Sequence, residues 1–438
     1  MPLTSNLFAL LYKHSADVAF KKHVFIASFF IFTFVSLFLP VLVQINANSM
    51  GQSPLNAPSA ALMLGASFLV ATAMKKQKIF RNKAIVMFMS GTILYLLYGW
   101  FVSAAGETLY ATARAYRELL AVSVFSATLF LSARIVIAYD LKIELAKTIC
   151  VAFGITLITA YVTHFDNLAF IGHVGDIFNK SARYRYGFGL GHVNGAGRKA
   201  MLFLVWSAVY RVLNEEKGNY SARKDNFNVY FLRPASIVAV IILLSSASRA
   251  SITSLILFFM AYFFHTFRSK LGAYMRVLLA MSVVLSIYLV IILVDWNMVF
   301  VLSNRMENFA SIDTIVQQKA WLTGLGFIKF EELFQVLNLP YLDNYYLLVF
   351  LQSGLVGFMI HFGTIFLFVK CYFQDSAGMT KFQRLAGGLL AVYLYYGLFE
   401  ALMFGHGAVD MASWILFFIA INQKAEAGEK YSLRHRKI

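Results

Sequence analysis

Arg183, Arg185, His192 and Arg198 lie within "RYRYGFGLGHVNGAGRK" (183–199), and Arg249 and Arg305 stand in two further short motifs, "SSASRAS" and "SNRMEN". A guanidinium is planar and always charged, and its fork of N–H donors takes two oxygens of one phosphate at once. Taken singly, each arginine also reads as an interfacial anchor that snorkels toward headgroups. As a group drawn from three segments, they point instead to one shared anion, and a lipid-linked diphosphate fits. His192 titrates near neutral pH, so it is a candidate either to take a proton from a sugar hydroxyl or, when protonated, to neutralise phosphate; Asn194 is placed to orient it. Asp343 is either the cap of the helix that follows it or an alternative base, with Asn344 beside it as a further polar contact. The glycines at 187, 189, 191, 195 and 197 permit close backbone approach, to a neighbouring helix or to a ligand. A G-x-G occurs there, but no strand precedes it and its spacing departs from the dinucleotide fingerprint, which excludes a nucleotide site of that kind. Tyr184, Tyr186, Trp296, Trp321 and Tyr341 suit stacking on sugar rings or an interfacial aromatic belt.

The elements that must position these groups are set by composition. Of 438 residues, 60% are hydrophobic and 13% charged, with a mean hydropathy of +0.68, which places the chain among integral membrane proteins. A bilayer core of ~30 Å needs ~20 apolar helical residues. Spans are predicted at 24–43, 59–74, 84–103, 119–139, 148–164, 195–210, 235–247, 250–266, 277–294, 345–369, 385–401 and 409–421, twelve in all. The fold class is therefore all-α, a polytopic helical bundle, read as a single integral membrane domain over 1–438. With the N-terminus inside, 26 of the 38 Lys and Arg residues fall on cytoplasmic segments and nine on outer ones, so the net charge of +17 reflects membrane orientation and not nucleic-acid binding. Both termini are expected in the cytoplasm.

"ASIVAVIILLSSASRASITSLILFFMAYFF" (235–264) reads either as one long tilted helix or as two short spans meeting at "SSASRAS". Parity favours two spans with Arg249 at a tight outer turn, because one span would export the basic C-terminal tail. Two long outer loops result, 165–194 and 295–344. In the second, Phe327, Phe330, Leu333, Phe334 and Leu337 recur at helical spacing, so this loop is expected to be partly helical. Cys150 and Cys371 lie in or beside spans without ligand-type spacing, and neither a metal nor another cofactor is expected.

In order along the chain stand arginines followed by "GFGLGHVN" before a span, "SSASRAS" at a turn, the arginine of "SNRMEN", "TGLGF", and "LDNYYLLVFLQSGLVG" leading into the next span. This set, over roughly 180–365, resembles the Wzy-type polysaccharide repeat-unit polymerases and, more broadly, the O-antigen polymerase and ligase superfamily. The resemblance implies a metal-independent glycosyltransferase at the outer face of a bacterial cytoplasmic membrane. Its substrate would be an undecaprenyl-diphosphate-linked oligosaccharide, polymerised into O-antigen, capsule or exopolysaccharide, and flippase and chain-length regulator proteins are implied partners. Carried onto this sequence, Arg183, Arg185, Arg249 and Arg305 hold diphosphate, Arg198, Asn194 and Asn344 contact the substrate, and His192 or Asp343 acts as base. The second large loop holds Asp343 and no histidine, a departure from the ligase pattern that favours a polymerase. A ligase-like transferase, a lipid-linked oligosaccharide flippase and a non-catalytic assembly subunit are the alternatives.

Overall fold

The computed structural model describes residues 18–46, 56–72, 82–108, 113–164, 186–190, 193–218, 225–267, 320–327, 344–374, 379–398 and 408–435. Of these, 87% are helical and none forms a strand, as expected of a chain that must satisfy its backbone within each segment in lipid. The helices are α1 (Val18–Asn46), α2 (Asn56–Thr72), α3 (Lys83–Ala104), α4 (Ala113–Tyr139), α5 (Lys142–Thr163) and α6 (Val193–Glu216). They continue with α7 (Arg233–Ser245), entered through a π-helical turn at Asn228–Leu232, then α8 (Arg249–Phe267), α9 (Tyr345–Phe373), α10 (Lys381–Tyr396) and α11 (Ala408–His435). Six helical stretches are long and apolar enough to cross a membrane; they lie in α1, α3, α4, α5, the π-turn with α7, and α9. Shorter apolar stretches occupy parts of α2, α8 and α11. The chain is a membrane protein. The predicted span 277–294 lies outside the described residues; the other eleven predicted spans fall on α1 to α11.

The chain divides into two compact units, one of residues 1–85, 124–257 and 406–438, the other of 86–123 and 258–405. In the first, α1 packs on α2 and α5, α5 on α6 and α7, α6 on α7, and α11 on α1 and α5. Every residue of α11 from Ala408 to Asn422 is buried. That fits "AVDMASWILFFIAIN", which is apolar around nearly its whole circumference and so belongs inside a protein. The unit has a basic end: Lys22 lies over the Tyr139 ring at 5.7 Å, Lys142 pairs with Asp140 at 3.3 Å, and Lys147 lies over Phe227 at 5.1 Å. Arg211 Nε donates to Asn228 Oδ1 at 2.9 Å at the same end.

In the second unit, the helix over the span predicted at 345–369 is broken. Gly354 breaks α9 with φ 63° and ψ −170°, and the side chains on either side meet. Tyr345 Oη and His361 Nε2 are hydrogen-bonded at 3.0 Å, the Tyr346 and Phe362 rings are 4.8 Å apart, and those of Phe350 and Phe358 are 6.1 Å apart. A straight helix would separate residues sixteen apart by about 24 Å along its axis. α9 is therefore a helical hairpin with its apex at Gly354. Its long leg, from Leu355 to Phe373, is about 28 Å long at ~1.5 Å per residue and can cross a bilayer alone.

The long leg runs antiparallel to α3. Phe368 meets Phe88 with ring centroids 5.3 Å apart, His361 meets Tyr95 at 4.8 Å, and a Cβ on Gly357 would lie 2.9 Å from the Tyr98 ring. The short leg, Tyr345 to Ser353, starts where α10 stops: Tyr345 N donates to Gly397 O at 2.8 Å, and Tyr346 Oη to Leu394 O at 2.7 Å. Two helix ends thus supply each other's missing partners.

A loop clips the apex. Leu325 N donates to Leu351 O at 2.8 Å and Gly326 N to Gln352 O at 3.1 Å, while Leu355 N and Val356 N donate to Trp321 O and Leu322 O at 2.8 and 3.3 Å. The backbone groups freed by the break are paired, as non-helical backbone in a membrane protein requires. Gly324 (φ 85°) and Gly354 face each other so closely that a Cβ on either would lie 2.6 Å from the other's nitrogen. Phe327, expected to begin a helical face, belongs to this clip and packs edge-on to Tyr95 at 5.5 Å.

Candidate functional site

At the end of the first unit opposite its basic residues, the glycine-rich stretch meets "SSASRAS". Tyr186 to Leu190 form a tight turn: Leu190 N donates to Gly187 O at 2.8 Å, and Phe188 and Gly189 both have positive φ, 49° and 64°, the mark of a type I′ turn. Tyr186 N donates to Ser245 O at 3.0 Å, which ties the turn to the end of α7. Rings pack it in place, with Phe188 4.7 Å from Tyr186 and 6.1 Å from Tyr161. His164, at the end of α5, lies edge-on to Tyr186 at 6.2 Å.

α7 stops at Ser245 and α8 starts at Arg249, so 235–264 is two helices with a turn between them and not one long helix. Ala247 takes φ 45° in that turn, and serines hold its backbone. Ser246 Oγ donates to Leu243 O at 2.7 Å, and Ser248 Oγ is bonded to Ser251 Oγ at 2.9 Å. α6 starts against this turn at Gly197, where a Cβ would lie 2.6 Å from Ser246 Oγ, 2.7 Å from Ser248 Cβ and 3.0 Å from Ser251 Oγ. Only glycine allows α6 and the serine turn to approach this closely.

Three of the expected residues are gathered on these elements. Asn194 and Arg198, both half-buried, are four apart in the first turns of α6 and so share a face. Arg249 is exposed as the first residue of α8. Arg183, Arg185, His192, Arg305 and Asp343 lie outside the described residues. Asn344 belongs to the second unit and is the N-cap of α9: its Oδ1 accepts from Leu347 N at 3.0 Å and its Nδ2 donates to Leu398 O at 3.3 Å. The capping considered for Asp343 thus falls one residue later.

Three groups went unread in the sequence. Lys199 Nζ donates to Leu190 O at 2.9 Å, holding the end of the type I′ turn to α6. Asp410 is 4% exposed in the first turn of α11, the only Asp, Glu, Lys, Arg or His among the buried described residues. His361 joins the two legs of α9. An isolated acid or histidine within an apolar run is itself a signal, because its burial is costly. The arrangement in the first unit presents guanidinium and amide groups beside a serine-rich turn at one end of the bundle, a setting suited to an anion with several oxygens. Comparison of the chain with protein-family models, with curated proteins and with solved structures returns no match.

Proposed function

We propose that the chain polymerises lipid-diphosphate-linked oligosaccharide repeat units at the outer face of a bacterial cytoplasmic membrane, as a twelve-span protein with both termini in the cytoplasm. The observation that carries this reading is the meeting of the glycine-rich turn, the first turns of α6 with Asn194 and Arg198, and the Ser245–Arg249 turn, at the end of the unit opposite its basic residues. The order of short motifs resembling Wzy-type polymerases also supports it. In the reaction, a hydroxyl oxygen of the incoming unit attacks the anomeric carbon of the growing glycan. The bond from that carbon to the diphosphate breaks, and the lipid diphosphate leaves with the electron pair. Arg198 and Arg249, with Arg183, Arg185 and Arg305, stabilise the departing charge. His192 or Asp343 takes the hydroxyl proton.

The test is reconstitution of the full chain in liposomes with a purified lipid-linked repeat unit. Wild type is expected to yield a ladder of longer glycans, and Arg249→Ala to slow it about 10- to 100-fold, the range of one lost charged hydrogen bond. A normal ladder from folded Arg249→Ala removes that residue from the site, and no ladder from wild type ends the reading. The folded α9 supports a second reading, a flippase for the same lipid-linked unit, because transporters build midplane sites from discontinuous helices. A flippase would move the unit between leaflets without lengthening it.

A further inference from the structure

At the end of the first unit that carries the glycine-rich turn, three segments close on one another. Tyr186 N donates to Ser245 O at 3.0 Å, Gly197 seats α6 on Ser246, Ser248 and Ser251, and Lys199 Nζ donates to Leu190 O at 2.9 Å. The stretches so joined, 186–190, 193–199 and 245–251, hold Arg198, Lys199 and Arg249 and no Asp or Glu. Ser248 Cβ lies 2.7 Å from the Cβ position of Gly197, and Arg198 and Arg249 are the next residues along their chains. With consecutive Cα atoms ~3.8 Å apart, the Cα atoms of the two arginines are separated by at most about 14 Å, a gap that two extended arginine side chains bridge with a phosphate between them.

Lys199, in the second turn of α6, is half-buried. Cα–Cβ bonds in a helix tilt toward its N-terminus, so the lysine stem runs back to the start of α6, where the ammonium meets the Leu190 carbonyl. That carbonyl is itself held in place. Gly189, beside it, packs on the His164 ring so closely that a Cβ would lie 2.5 Å from His164 Cε1. An ammonium has three N–H donors and a full charge. Leu190 O takes one donor, and among the described residues the amine has neither a second acceptor nor a carboxylate. A tie between a turn and a helix needs a donor but no charge. A charge drawn partly out of water, beside the like charge of Arg198, calls for an anion.

We infer that Lys199 is a binding residue of the anion site, its ammonium held by Leu190 O and its other two N–H groups turned to a phosphate oxygen of a diphosphate ester. Lys199 takes this role on the reading of the substrate as a lipid-linked diphosphate. Arginine forks two oxygens of one phosphate, whereas lysine acts as a point charge. Arg198 and Arg249 with Lys199 thus suit a ligand of two linked phosphates, one forked and the other met by the ammonium. The phosphate is present in the bound donor and in the departing diphosphate alike, so the contact binds both. Its loss raises KM more than it lowers kcat.

The probe is radiolabelled farnesyl diphosphate. Its binding to the full chain in phosphatidylcholine nanodiscs is read by scintillation proximity, with glycan extension measured in parallel. Wild type is expected to bind, Lys199→Met to weaken binding at least about tenfold and to raise KM for the lipid-linked unit more than it lowers kcat, and Lys199→Arg to keep most of both. Wild-type affinity in Lys199→Met, even with a lower thermal midpoint, makes the lysine a structural tie and overturns the inference, as does no binding by wild type. Reductive methylation of the wild-type protein, read by mass spectrometry, gives the answer if Lys199→Met does not fold. Lys199 labelled without the probe and protected with it supports the contact; equal labelling, or an amine that no reagent reaches, overturns it. Loss of probe binding in phosphatidylglycerol nanodiscs would assign the amine to bilayer headgroups and overturn it too. Binding that ignores Lys199, with normal extension, sinks the inference alone, whereas binding that needs Lys199, without extension, sinks the polymerase reading alone.

Discussion

At the scale of single residues, the glycine-rich stretch shows what a sequence conveys and what it withholds. That "GFGLGHVNGAGRK" permits close approach follows from its composition; which glycine is approached does not, because the answer lies about fifty residues away in Ser246, Ser248 and Ser251. Gly197 is the seat of that contact. Gly197→Ala is expected to cost about 1 to 3 kcal/mol, the usual range for overpacking, because the obstructing groups include a Cβ as well as hydroxyl ends. Thermal inactivation of the purified protein would show it as a lower midpoint, with glycan extension falling in step. Gly195 serves as the control, since a Cβ there meets nothing nearer than 4.0 Å. Its alanine variant should match wild type in stability, and equal losses at both positions would refute the seat at Gly197. His164 and Asp410 teach a related lesson: the first gains company from Tyr186 and Gly189, and the second lies in a run read only for its apolarity.

At the scale of elements, hydropathy located the helices but not their paths. The same apolar run from Tyr345 to Phe373 serves a straight helix or a hairpin, since the lipid-facing character of each residue is alike in both. The choice is made by Gly354 together with a partner thirty residues upstream, where "TGLGF" supplies the hydrogen bonds that a broken helix lacks. Both "TGLGF" and "SGLVG" were visible as motifs; their pairing was not, because it joins two backbones and leaves no side-chain pattern. The hairpin makes a direct prediction. With Cys150 and Cys371 replaced, Tyr346→Cys with Phe362→Cys should be joined by a short bis-maleimide, while Tyr346→Cys with Leu355→Cys should not. A straight helix would hold 346 and 362 about 24 Å apart and abolish the first cross-link. Gly354→Ala should break the clip, because the left-handed φ and the facing Gly324 backbone both exclude a Cβ. Its expected effect is a loss of about 2 to 4 kcal/mol or failure to accumulate.

At the scale of the whole molecule, the distribution of charge does what no single motif can: it distinguishes the two ends of the first unit. Lys142, Lys147 and Arg211 gather at one end through carboxylate, ring and amide partners, and α5, α6 and α7 connect that end to the turn bearing Arg249. The cations of the basic end and Arg249 are thus held a helix length apart. Long-range repulsion between them is screened at physiological salt, where the Debye length is ~8 Å, so the same chain can carry a net +17 and still keep both sets. Lys217 and Arg249 are both exposed at opposite ends of this unit, which makes them reporters. In a background lacking Cys150 and Cys371, Arg249→Cys should react with a membrane-impermeant maleimide on intact spheroplasts. Lys217→Cys should react only after the cells are opened or in inverted vesicles. Labelling of both from one side would mean that α6 and α7 do not carry the chain across the bilayer, and the arginine site would lose its place on the outer face. Labelling in the reversed sense would keep the spans but turn the molecule over, leaving a lipid-linked donor on the cytoplasmic side as the ligand to test.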